Sequence, residues 1–181
     1  MADADQPTVY TPNILWLDGS DAEMAAAVRE SQRTFDQYRD ALSRTLPVVE
    51  DCGVKVFFPS QQNPAAGEHM WVNEVAFDPN GMVGTLCNDP GWVRGLTCGD
   101  RVPFTLDRVS DWFFVAGGVL QGGFTLKLLF RRFTPEQFAE CRNDAPACYF
   151  ADWYDQQLAK RSGPGGTLTS FSQSNDDPSY P

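Results

Sequence analysis

Short apolar segments follow one another through the middle of this chain. "VKVFFP" (54–59), "HMWVNEVAF" (69–77), "MVGTLC" (82–87), "RVPFTL" (101–106) and "VSDWFFV" (109–115) are rich in branched and aromatic residues, the composition that suits a pleated, half-buried surface. Between them stand "DPNG" (78–81), "NDPGW" (88–92), "TCGD" (97–100) and "AGGV" (116–119). Proline presets one dihedral and glycine permits positive φ, so these read as turns with a mechanism. Gaps this short cannot hold crossover helices, and the strands are expected to pair antiparallel. In "FTLKLLF" (124–130), Phe124, Leu126, Leu128 and Phe130 alternate with Thr125 and Lys127. That period of two reads as a further strand with one apolar face, Leu129 being its exception.

The flanks change period. "ILWL" (14–17) reads as a short strand, and "SDAE" follows it with Ser20 and Glu23 spaced as a capping box. Met24, Val28, Phe35, Tyr38, Leu42 and Leu46 then recur at helical spacings up to Pro47, opposite Arg29, Arg33, Asp36, Asp40 and Arg44. One apolar stripe on a helix of about six turns must lie on something apolar, and the sheet supplies it. "FTPEQF" (133–138) opens another helix, with Thr134 as cap, Pro135 at the first position, Gln137 closing the box, and Phe133 and Phe138 placed as a staple. "CYFADWYDQQLAKR" (148–161) reads as a last amphipathic helix, and the Gly-, Ser-, Pro- and Asp-rich residues 162–181 as a disordered tail. The expected fold class is α+β, a curved antiparallel β-sheet packed on a long N-terminal helix, with C-terminal helices.

Composition narrows the function classes. A length of 181 residues suits one domain with a sizeable core. The formal charge is −10, from 24 acids against 14 bases, which argues against a nucleic-acid binder and against docking to anionic lipid. It favours a basic partner. The stretch 61–100 concentrates the acids, with Glu68, Glu74, Asp78, Asp89 and Asp100 against one base, Arg94. "MADADQPTVY" has no basic or apolar region of a secretory signal, and no apolar run is long enough to span a membrane. The five cysteines, Cys52, Cys87, Cys98, Cys141 and Cys148, are odd in number and hold no C-x-x-C. They read as reduced thiols of a cytoplasmic protein, and with a single histidine they make no zinc pattern. No cofactor or metal is expected.

Five motifs occur in a fixed order: "EHMWVNEV" (68–75), "GTLCNDP" (84–90), "GDRV" (99–102), "VSDW" (109–112) and "GGFT" (122–125). Together with "WLDGSDAEMAAAVRESQRTF" (16–35) they resemble the YegJ-like family of bacterial domains of unknown function. The resemblance runs from about Ile14 to Phe133. It implies a small cytoplasmic α+β domain over 14–133, preceded by an arm (1–13) and followed by a helical extension (134–161) and the tail. It brings no enzymatic activity. The recurrent positions it implies fall on His69, Trp71, Asn88, Pro90, Gly99, Asp100, Asp111, Trp112, Gly122, Gly123 and Thr125.

Three residue groups raise chemistry. Cys87 or Cys98 with His69 and Asp111 would make a nucleophile, base and orienter, but nothing in their spacing draws them together. Asp111 reads either as a buried substrate-binding carboxylate or as an acceptor for turn amides beside a core Trp112. Gly117-Gly118 fits a hairpin turn. Gly122-Gly123 falls in the returning strand, either as a bulge that lets the sheet curl or as bare backbone where another molecule packs. With no G-x-G-x-x-G, P-loop, G-x-S-x-G or H-E-x-x-H motif, the weight falls on binding. The leading expectation is a non-enzymatic immunity protein that neutralises a basic toxin. Its candidate surface is Glu68, His69, Trp71, Glu74, Asp78, Asp89, Trp92 and Asp100, the tryptophans acting as anchors. The alternatives are a regulatory module that binds a peptide or small ligand, for which the sheet edge near Gly122-Gly123 offers strand addition, and an enzyme built on His69, Asp100 and Asp111.

Overall fold

The structure, a computed structural model, describes residues 21–161 apart from 45–47, 62, 64, 65, 80 and 92. The arm, the 14–17 segment, Ser20, Leu46, Pro47, Trp92 and the tail therefore lie outside the described residues. Along the chain come α1 (Ala22–Ser43), β1 (Val49–Pro59), β2 (Gly67–Asp78), β3 (Gly81–Leu86), β4 (Arg101–Phe104), β5 (Val109–Ala116), β6 (Val119–Gly122), α2 (Phe124–Arg132), α3 (Pro135–Cys141) and α4 (Ala151–Arg161). The strands form one sheet in the order β4-β3-β2-β1-β5-β6, and each neighbouring pair is antiparallel. This is the expected α+β arrangement.

α1 lies on one face of the sheet. Met24, Phe35 and Tyr38 are buried as its stripe requires. Its cap is Asp21, whose carboxylate accepts the Met24 N–H at 3.0 Å, in place of the expected Ser20–Glu23 box. Glu23 is drawn off to Arg132 at 2.8 Å, and Asp21 pairs with the same guanidinium, so the start of α1 is tied to the end of α2. Under α1, the alternation of β1 puts Val54, Val56 and Phe58 in one cluster with Met70, Val72, Leu86, Val102, Phe104 and Trp112. Trp112 is completely buried, and its indole N–H donates to Ser31 O at 2.9 Å. Burial of each large apolar side chain here contributes about 1.5–3 kcal/mol.

The opposite face carries a second cluster, in which Trp71, Phe113 and Val115 of the strands meet Leu126, Phe130, Phe138, Phe150 and Tyr154 of the C-terminal helices. α3 begins as expected, with Thr134 and Gln137 bonded reciprocally in a capping box and Pro135 at the first turn.

One expected element is overturned. "FTLKLLF" is helix α2, not a strand, and the sixth strand is the shorter β6 before it. The segment satisfies both periods, since Leu126 and Phe130 also stand four apart on a helix face. The choice is made from outside the segment. Asp111 on β5 accepts the N–H groups of Phe124 (2.9 Å), Thr125 (2.8 Å) and Leu126 (3.2 Å), the orphan donors of a helix start. The glycine pair changes meaning with it. Gly122 ends β6, and Gly123 is the N-cap of α2 in the left-handed region, at φ 69°. The pair is neither a bulge nor bare backbone. A Cβ on Gly122 would overlap the Trp112 carbonyl and indole, and one on Gly123 would overlap the Phe150 ring.

Candidate functional site

The helices cover only half of the second sheet face. By the strand registers, Lys55, Trp71, Asp111 and Phe113 share that face under the helical layer. Asn73, Thr85, Arg101, Val83 and Pro103 continue it across β2, β3 and β4. Asn73, Arg101 and Pro103 are exposed there, and Val83 and Thr85 half-buried. The boundary between the covered and open halves runs along Lys55, Trp71 and His69.

That boundary is unusually polar. Lys55 is 2% exposed, opposite Trp71 on one neighbouring strand and Asp111 on the other. Its ammonium sits 5.6 Å from the centre of the Trp71 ring, a cation–π contact. Burial pushes its pKa down to about 8, against the opposing pull of Asp111. His69 leans on the Phe57 ring with centroids 5.0 Å apart, and its Nδ1 is buried without a hydrogen-bond partner among the described residues. Burial, and then the Lys55 charge, hold its pKa down to about 4, so the ring is neutral at pH 7. Asp111 is fully buried. Besides the three α2 amides it accepts the Thr125 hydroxyl at 2.5 Å and the Trp112 N–H at 2.9 Å. Burial raises its pKa while these donors and Lys55 pull the other way. Lys55 was not among the residues singled out from the sequence. The available signal was a lysine inside the apolar run "VKVFF" of a strand that becomes central.

The open half is bordered by acids. Glu74 stands at an irregularity in the β2–β3 pairing, with left-handed backbone at φ 47°. Such a conformation costs about 1–3 kcal/mol in a residue other than glycine. Its carboxylate accepts the Thr85 hydroxyl at 2.7 Å, and Arg101 reaches the Glu74 carbonyl at 3.1 Å. Asp78, Asp89 and Asp100 are exposed. Asp89 accepts the Cys98 N–H and Asp100 the Thr97 N–H, each at 2.8 Å, so both shape the loop between β3 and β4.

The sequence candidates therefore separate. Glu74, Asp78, Asp89 and Asp100 are brought to the surface around the open half-face. Two others are corrected. Trp71 is 6% exposed and belongs to the core, because the helical layer closes over its ring. Glu68 is buried, because its carboxylate accepts the Gly91 N–H at 3.1 Å. The recurrent positions are structural in the main. Asn88 accepts the Trp71 N–H at 3.3 Å, Gly99 donates to Leu86 O at 2.8 Å, Pro90 is half-buried in the same loop, and Thr125 is bound to Asp111. Within the Cys–His–Asp trio, Asp111 and Cys87 are not set up as orienter and nucleophile. Asp111 is committed to α2, and burial pushes the Cys87 thiol up to about 11, leaving it protonated at pH 7. Among the described residues no group of three or more His, Cys, Asp or Glu side chains is placed to hold a metal. No described helix is long and apolar enough to cross a membrane.

Comparisons with known proteins converge on the resemblance seen in the motifs. A family model described as an uncharacterized protein conserved in bacteria, DUF2314, matches residues 21–145. That stretch runs from the cap of α1 past α3. A protein of Neisseria meningitidis serogroup B, named as an ankyrin repeat protein, is 30% identical over 132 residues, covering 70% of this chain and 52% of its own length. This chain thus spans about half of that relative. The uncharacterized protein YegJ of Escherichia coli K12 is 22% identical over 119 residues, covering 66% of this chain and 74% of its own length. No solved structure matches.

Proposed function

The chain belongs to the DUF2314 family of bacterial proteins, and from that premise we propose that it is a non-enzymatic binding protein whose open half-face takes a basic protein partner. The observation that carries the reading is the uneven cover of the sheet. Three helices close the β1–β5–β6 half, while Asn73, Val83, Thr85 and Pro103 of the other half face outward with Glu74, Asp78, Asp89 and Asp100 around them. A net charge of −10 speeds association with a basic surface. Two of the residues that suggested catalysis are engaged in the fold: Asp111 in starting α2, and Asp100 in the β3–β4 loop through the Thr97 N–H.

In its most specific form the partner is a toxin and this chain is its immunity protein, acting in the cytoplasm. The test is a pull-down of the C-terminally tagged chain from its native bacterium. A single stoichiometric basic partner is expected, lethal when expressed alone and silenced by this chain. The E74K/D78K double variant, which also gives up the Glu74–Thr85 hydrogen bond and so melts somewhat lower, should stay folded and weaken the complex at least tenfold, and the complex should weaken further as salt rises. A partner that is acidic, or one indifferent to the charge reversal, would sink the proposal.

A further inference from the structure

The five cysteines differ in depth. Cys141 is buried, Cys52 and Cys148 are half-buried, and Cys87 and Cys98 are exposed. The exposed pair borders one loop, which joins β3 to β4 and carries Asp89 and Asp100. The mouth of that loop is held in register. Leu86 donates its N–H to Asp100 O at 2.9 Å, and its own carbonyl accepts the Gly99 N–H at 2.8 Å, so two residues stand opposite one. Gly99 is left-handed, at φ 94°, and the Asp100 N–H donates to Thr97 O at 3.0 Å across a tight turn. This is a β-bulge of the kind that needs glycine in its first position.

Cys87 follows Leu86 and Cys98 precedes Gly99, so the two cysteines face each other one step further out. Their chain neighbours are joined by a hydrogen bond of 2.8 Å. Standard backbone dimensions then leave the two Cα atoms roughly 5–7 Å apart. A disulfide spans about 4.4–6.8 Å between Cα atoms. Both cysteines are anchored through their backbones. The Cys87 N–H donates to Trp71 O at 2.9 Å, and the Cys98 N–H to the Asp89 carboxylate at 2.8 Å. The Cys87 thiol is only loosely engaged, donating to Thr85 O over 3.6 Å.

We propose that Cys87 and Cys98 are a redox-active pair, which a small disulfide such as oxidised glutathione converts to an internal disulfide that clamps the β3–β4 loop. The Cys98 thiolate attacks one sulfur of oxidised glutathione, that S–S bond breaks, and one glutathione thiolate leaves. The Cys87 thiolate then attacks the Cys98 sulfur of the mixed disulfide and expels the second glutathione. The cysteine pair is oxidised by two electrons and glutathione disulfide is reduced by two, while the two thiol protons pass through solvent to the two glutathione thiolates. Burial of its sulfur, together with the nearby Cys98, pushes the Cys87 pKa up to about 11. The closing step is therefore slow at pH 7 and quickens as pH rises. The clamped loop carries Asp89 and Asp100 of the acidic rim, but the thiol chemistry needs no partner and is tested without one.

The test equilibrates the full chain with reduced and oxidised glutathione at pH 8, once folded and once in concentrated urea. Trypsin cuts after Arg94, between the two cysteines, and peptides 56–94 and 95–101 carry one cysteine each, so their joining reports the bond. The folded pair should be half-oxidised at a ratio of oxidised to squared reduced glutathione at least tenfold lower than in urea. In the oxidised folded chain the Cys98 and Gly99 amides should exchange at least tenfold more slowly. C87S should stop the reaction at the Cys98 mixed disulfide, C98S should abolish the joined peptides, and dithiothreitol should restore all five thiols. A midpoint equal to that in urea, mixed disulfides with glutathione in place of the joined peptides, or unaltered amide exchange overturns the proposal.

Discussion

Gly123 shows how much one residue can hold. It needs a left-handed backbone, and its missing side chain leaves room for the Phe150 ring. Gly123→Ala should destabilise the protein by about 2–4 kcal/mol, combining conformational strain with overpacking. Urea denaturation reads this directly. A normal stability with lost binding would return the pair to a functional role. His69 makes a different prediction. Its folded pKa of about 4 lies below the ordinary 6.5, so the unfolded chain takes up a proton first as pH falls. The stability associated with its neutral ring is complete above pH 6.5 and is lost progressively as pH falls through about 4, by about 3 kcal/mol at most. H69F, which keeps a ring beside Phe57 and cannot titrate, should flatten the difference in urea midpoint between pH 4 and 7 relative to the parent. An unchanged slope would show that His69 already binds its proton in the folded state.

At the scale of elements, legibility follows from where the deciding interactions come from. α3 was readable because its cap, its proline and its box all lie within "TPEQ". Thr134→Ala should cost about 1 kcal/mol in thermal or chemical unfolding. The first five strands were readable from their branched residues and the turns between them. α2 was not, because its cap arrives from Asp111, which is 13 residues before Phe124 in sequence. Locally the segment permits either period, and only the folded hairpin of β5 and β6 brings the carboxylate to its amides. Asp111→Asn places an amide where several donors converge, and should cost about 2–3 kcal/mol. Near-neutral stability of that variant would mean that α2 starts without Asp111. The Lys55–His69 boundary escaped notice for the same reason, since both faces of β1 are covered only once α1 and the C-terminal helices are in place. Trp71 was misjudged by the same reasoning in reverse: an aromatic in an acidic stretch suggested a surface anchor, and the helical layer claims it.

Across the whole molecule, charge and cover are distributed in opposite senses. The helices gather over β1, β5 and β6, and the exposed acids singled out from the sequence gather around β2, β3 and β4. The acidity was plain from composition, but the bare half of the sheet that gives it a place to act depends on where three helices end, and no local pattern encodes that.

The lopsided cover also sets an order of opening. Amide protons in β1 and β5 lie between two aromatic clusters, whereas those in β3 and β4 are roofed on one side only. Native-state hydrogen exchange should therefore resolve two cooperative units, with the β3–β4 pair and its loop exchanging through a lower-energy opening than the β1–β5 pair. A partner bound at the acidic half-face would raise the protection of the weaker unit first.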